Sequence, residues 1–142
     1  MGIKNLAVAI VVFSLPSLAL ADDRPPALAF LQEVNGAFYS CSRLIGEGEM
    51  NNQMYGSFAP SSTDRVLDCA STGSERVKVA YDAYVASQPK EDEKAAAKEV
   101  YIASLAYADA IRNASSRSDL DNGNAQAGLS RAKAVFIVDA GL

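Results

Sequence analysis

Histidine and tryptophan are absent from the 142-residue chain, and cysteine occurs only twice. Without histidine, the Ser-His-Asp and Cys-His arrangements of hydrolases cannot form in their usual way. Zinc loses its commonest nitrogen ligand, and haem attachment through Cys-x-x-Cys-His is excluded. Glycine is present but nowhere in the spacing of a P-loop or a dinucleotide-binding turn. Long apolar runs are also missing. The longest is Leu6 to Leu15, interrupted by Ser14 and followed by Pro16, about half of the roughly 20 residues that a membrane span needs. These absences leave no expected cofactor and no expected metal.

That short apolar run does have a use. Lys4 precedes it, and Ala19-Leu20-Ala21 follows it before Asp22-Asp23. A positive start, an apolar middle and small residues at −3 and −1 are what a signal peptidase reads. Residues 1–21 are therefore expected to be a secretory signal peptide, and 22–142 a single domain of ordinary size. No cysteine follows the cleavage point, so no lipid anchor is expected there.

Once Lys4 leaves with the leader, 12 basic residues face 17 acidic ones, a formal charge of −5. Nucleic-acid binding depends on Lys and Arg neutralising phosphates, and this balance argues against it. A partner steered by charge would be basic. Cys41 and Cys69, 28 residues apart, are expected to pair, because an exported chain meets an oxidising compartment.

Helical signals dominate the exported part. Pro25-Pro26 suits a first turn, and Asp22 and Asp23 lie where the helix dipole favours negative charge. Phe30, Val34, Phe38, Cys41 and Ile45 recur at three- and four-residue steps and predict one helix with an apolar face, stopping at Gly46. Residues 46–62 mix glycine, asparagine, serine and Pro60 with Met50, Met54, Tyr55 and Phe58, and predict a long loop tied down by the disulfide. Loops longer than about 12 residues are commonly functional. The other outcome for Met54, Tyr55 and Phe58 is to fold back on the core.

Beyond that loop, a short helix is expected over 64–70, ending at Gly73, and another from Ser74 to about Ser87, stopped by Pro89. Glu91-Asp92-Glu93 opens an alanine-rich helix reaching about Asn113. Residues 115–118 suggest a loop. A last helix is expected over 125–140, with Leu129, Ala132, Val135 and Phe136 inward and Gly141 ending it. No stretch alternates long enough for a strand. The fold class is all-α, a small bundle of four to five helices with one disulfide.

Two carboxylate groupings bear on chemistry. Glu47 and Glu49 on a glycine loop are the candidate acid and base of a small carboxylate-dependent hydrolase, since glycosidases flank the bond with two carboxyls; solvation is the plainer account. Asp119 to Asn124 suggests a calcium loop, but Ser130 stands where the bidentate Glu of such a loop is required, and helix capping explains it better. Tyr81, Tyr84, Tyr101 and Tyr107 could line the cavity of a small-molecule carrier, although helical spacing favours core positions with hydroxyls at the rim. Asn113-Ala114-Ser115 fits the glycosylation acceptor pattern, which matters only in a eukaryotic secretory pathway.

Cys69, Val77, Tyr81, Tyr84-Val85, Pro89, Ala96 and the helix end Ile102 to Tyr107 resemble the helical immunity proteins that protect bacteria from type VI secretion amidase effectors. The resemblance covers about 40 residues, Cys69 to Ala108. Where that family tends to continue with a cysteine, this chain has Ala108-Asp109. The resemblance implies a periplasmic inhibitor that occludes a toxin's cleft. Here the segment from Gly46 to Ser62, with Glu47, Glu49, Tyr55 and Phe58, combines charge with aromatic anchors of the kind interfaces use. The expected function is thus a non-catalytic, protein-binding domain in the periplasm or outside the cell.

Overall fold

Proline, glycine and two close approaches of backbone decide where the helices begin, bend and end. The computed structural model describes residues 25–56 and 60–142, with side chains left aside at 60–62; the expected leader and Phe58 lie outside the described residues. Helix α1 spans Pro26–Ala37 and begins at Pro25-Pro26 as expected, α2 spans Tyr39–Tyr55, and α3 spans Pro60–Ala86. Helix α4 is Glu91–Asn113, α5 the five-residue Arg117–Asp121, and α6 Asn124–Asp139. The described residues hold no strand, so the all-α expectation stands.

Four boundaries differ from expectation. The helix expected to run unbroken to Gly46 bends at Phe38 (φ −114°, ψ 5°) and resumes as α2. It then passes through Gly46 and Gly48 to Gly56, whose left-handed backbone (φ 68°) ends it. Most of the expected loop 46–62 is therefore helix. Glycine and asparagine are poor helix formers, but the cost of about 1 kcal/mol per glycine is offset because Cys41, Ile45 and Gly48 are buried on one face packed against α3.

Helix α3 likewise runs through Gly73, where a stop was expected. Gly73 is a point of close approach. A Cβ there would lie 2.5 Å from the Phe38 ring and 2.8 Å from the Ala37 carbonyl oxygen, so only glycine lets the bend between α1 and α2 sit against α3. The expected loop at 115–118 is shorter, because Arg117 already opens α5, with the Ser116 hydroxyl accepting from the Asp119 N–H at 3.0 Å. Asp119 in turn accepts from Ser115 Oγ at 2.6 Å. These serine hydrogen bonds hold its carboxyl below the ordinary aspartate range. The cap of α5 is thus Ser116, and Asp119 is the acidic residue of its first turn; α6 has no side-chain cap from this grouping.

The strand-free bundle is laid out in one register. Phe30 stacks on Tyr84, Glu33 pairs with Arg76, and Cys41 bonds to Cys69. As α1 and α2 advance, their α3 partners retreat, so both run antiparallel to α3. Helices α3 and α4 do the same, through Tyr84 with Glu93, Tyr81 with Tyr101 and Ser74 with Arg112. Helix α6 lies along α4.

The sequence face Phe30, Val34, Phe38, Cys41, Ile45 is buried throughout. Its centre is a three-ring cluster in which Phe30 and Tyr84 stack at 5.6 Å and Phe136 meets both edge-on at 5.4 Å. Ala96, Ala97 and Ala108 are buried along α4. Ser104, buried beside them, donates to the Val100 carbonyl at 2.8 Å and so leaves no polar group unmet. Val135, expected inward, is instead half exposed. Helix α6 ends as expected: Leu142 N–H donates to Ile137 O and Gly141 N–H to Val138 O, with Gly141 left-handed, which is a Schellman motif.

Candidate functional site

Helix α2 has two faces of opposite character. Cys41, Ile45 and Gly48 are buried towards α3, and Cys41 is bonded there to Cys69, with 5.6 Å between their Cα atoms. On the other face, Met50 and Met54 stand one turn apart, and Tyr55, the last residue of α2, is exposed at the helix end about 100° round from Met54. Their exposures are 56%, 66% and 73%. Met54 and Tyr55 thus do not fold back on the core. Methionine is flexible and polarizable, and tyrosine offers a large amphipathic surface, so both suit contact with a protein.

Arg43 and Glu47 share the outer face with Met50 and Met54, at steps of four, three and four. Glu47 pairs with Arg43 at 3.5 Å and with Arg65 of α3 at 4.0 Å. All three side chains are well exposed, so the pairs fix geometry more than they stabilise. Glu49 is half buried. Two residues apart on a helix, Glu47 and Glu49 point in different directions, and the structure does not bring them together as an acid and base about one bond.

Where α2, α3 and the end of α4 meet, a hollow of about 230 Å³ opens over Ile45 and Val66, with Leu67, Arg112 and Ser115 among its walls. Its lining is mainly aliphatic, with the Arg112 guanidinium held nearby by Asp109. Nothing in the sequence pointed to this hollow. Arg112 and Ser115 lie some 45 residues beyond Leu67, and only the antiparallel packing of α3 and α4 brings them together.

The four tyrosines do not surround a common cavity. Tyr81 and Tyr101 stack on each other at 4.9 Å, Tyr84 lies in the three-ring cluster, and Tyr107 meets Phe38 edge-on at 5.7 Å. The Tyr84 hydroxyl donates to Glu93 at 3.3 Å. Burial first, then the Glu93 carboxylate, pushes its phenol up to about 12. Burial, with a contribution from Asp121, also raises the Tyr107 phenol. Both groups therefore stay neutral over the physiological range.

The described residues include no group of three or more His, Cys, Asp or Glu placed to hold a metal ion, and no described helix is long and apolar enough to cross a membrane. Comparison with family models, curated proteins and solved structures finds no match.

Proposed function

We propose that this chain is exported by its N-terminal leader and acts by binding a protein partner through the outer face of α2. The observation that carries the reading is the exposed pair Met50 and Met54 on the outer face, with Tyr55 exposed at the end of the same helix, which is fixed by the Cys41–Cys69 bond. Large apolar side chains grouped in water mark interaction surfaces more often than chance exposure does. Holding them on a helix reduces the ordering cost of association.

The leader pattern and the disulfide both favour an oxidising space outside the cytoplasm. The acidic balance of the exported part favours a basic-surfaced partner. Within this reading, the resemblance of Cys69 to Ala108 to the immunity proteins favours a periplasmic inhibitor of a cell-wall-degrading effector.

The test uses the chain produced in its own host with a photo-crosslinking residue at Met54 and, separately, at Ile102, an exposed aliphatic position on α4. The reading predicts one discrete covalent adduct in the envelope fraction from position 54, absent from position 102. It also predicts that M50S/Y55S abolishes the adduct while helicity is retained. Equal labelling from both positions, or none from 54, refutes it. If the adduct is a cell-wall hydrolase, the inhibitor reading predicts that adding the purified protein stops its activity.

A further inference from the structure

The exposed face of α6 carries a pattern that the single chain does not use. Val135, Val138 and Leu142 are 50%, 77% and 46% exposed. With Arg131 they follow steps of four, three and four, the seam spacing of paired helices. Helix α6 ends at Asp139, so Leu142 follows the seam beyond the Schellman turn at Gly141.

Two unmatched charges flank the valines. Among the described residues, neither Arg131 nor Asp139 has an ion-pair or hydrogen-bond partner. Asp139 is the last residue of α6, at the negative end of the helix dipole, where an anion is unfavourable unless a cation comes near. The one charge thus lacks what the other could supply, but on the same helix they are eight residues apart, roughly 12 Å at the helical rise.

We infer that α6 is a homodimer seam, occupied by α6 of a second copy running antiparallel across a two-fold axis between Val135 and Val138. In that arrangement Val135 of each copy meets Val138 of the other. Arg131 of each copy comes within one turn of the other copy's Asp139, and its methylene stem covers the other copy's Leu142. The surface is self-complementary, as a two-fold contact must be. A parallel pairing lacks this match, because it sets Arg131 beside Arg131 and Asp139 beside Asp139. A single 16-residue helix falls below the roughly 1,200 Å² of a tight interface. This inference is independent of the α2 surface.

Sedimentation velocity on the protein as its own host produces it, from about 1 μM to 1 mM, tests it, with far-UV circular dichroism as the check on folding. Concentration-dependent dimerisation is expected. R131E and D139R should each weaken it by about tenfold or more by placing like charges together, and the double variant R131E/D139R should restore it to within about threefold. Should either reversal lower helicity, Val138→Ser carries the same expected weakening. A chain that stays monomeric throughout, a dimer indifferent to these substitutions, or a double variant no better than the single ones overturns the inference.

Discussion

Gly73→Ala separates a close-approach glycine from an ordinary helical one. In a free helix this change stabilises by about 1 kcal/mol, because glycine loses more backbone freedom on folding. At position 73 the new methyl would lie 2.5 and 2.6 Å from the Phe38 ring carbons Cε1 and Cδ1 and 2.8 Å from the Ala37 carbonyl oxygen. Ordinary carbon contacts fall at about 3.5 to 4 Å, so the bend at Phe38 must retreat by about 1 Å. The ring cannot yield alone, since it is buried and edge-packed on Tyr107, and the carbonyl belongs to the backbone. Overpacking of this kind costs about 1 to 3 kcal/mol. The net effect expected is a loss of about 0 to 2 kcal/mol, with no gain. Gly46→Ala is the internal control, because nothing lies within 4 Å of a Cβ there, and a gain of about 0.5 to 1 kcal/mol is expected. Urea unfolding of both variants beside the parent reads the difference directly. If Gly73→Ala stabilises as much as Gly46→Ala, the contact between the α1–α2 bend and α3 is not as described.

Other outcomes follow from the same packing. Replacing both Cys41 and Cys69 by alanine opens a loop of 28 residues and should lower unfolding stability by about 3 to 4 kcal/mol on the chain-entropy account, measured by urea titration without reductant. Phe136→Ala removes the ring that meets both Phe30 and Tyr84 edge-on, and a loss of about 3 to 5 kcal/mol is expected. The Tyr84 phenol ionises near 10 when unfolded and at about 12 when folded, so its contribution is complete below pH 10 and is lost as pH rises through 12. Stability should fall by about 1 to 3 kcal/mol across that window, and Tyr84→Phe should remove this part of the alkaline decline, as followed by unfolding at pH 9 to 12.

The core was legible in the sequence because its signal is periodic. Phe30, Val34, Phe38, Cys41 and Ile45 declared a buried face that survives the bend at Phe38, and Glu91-Asp92-Glu93 marked the start of α4 to the residue. What local signals missed depends on distant partners. Gly46, Gly48, Asn51 and Asn52 argue for a loop by propensity. Burial of Cys41, Ile45 and Gly48 against α3 and the bond to Cys69 override that preference, since most helical stability in a protein comes from packing one face. Gly73 is the same lesson at one residue, because a stop and a close approach carry the same letter. Of the expected contact residues, Tyr55 is exposed at the C-terminal end of α2, and Glu47 lies on the outer face, paired with Arg43 and Arg65. Glu49 is half buried and Phe58 lies outside the described residues. Val135 was expected inward because α6 carries apolar residues on two sides, Leu129 and Phe136 on one and Val135 and Val138 on the other, and periodicity cannot choose between them.

Amide hydrogen exchange across residues 46–55 of the oxidised protein tests most directly whether this segment is a presented helix. The α2 account predicts exchange at least about a hundredfold slower than an unstructured chain, corresponding to about 2.7 kcal/mol of local opening, with protection falling when the Cys41–Cys69 bond is reduced. Exchange at the unstructured rate in the oxidised protein would mean that residues 46–55 form a loop, and the surface built on Met50, Met54 and Tyr55 would not exist.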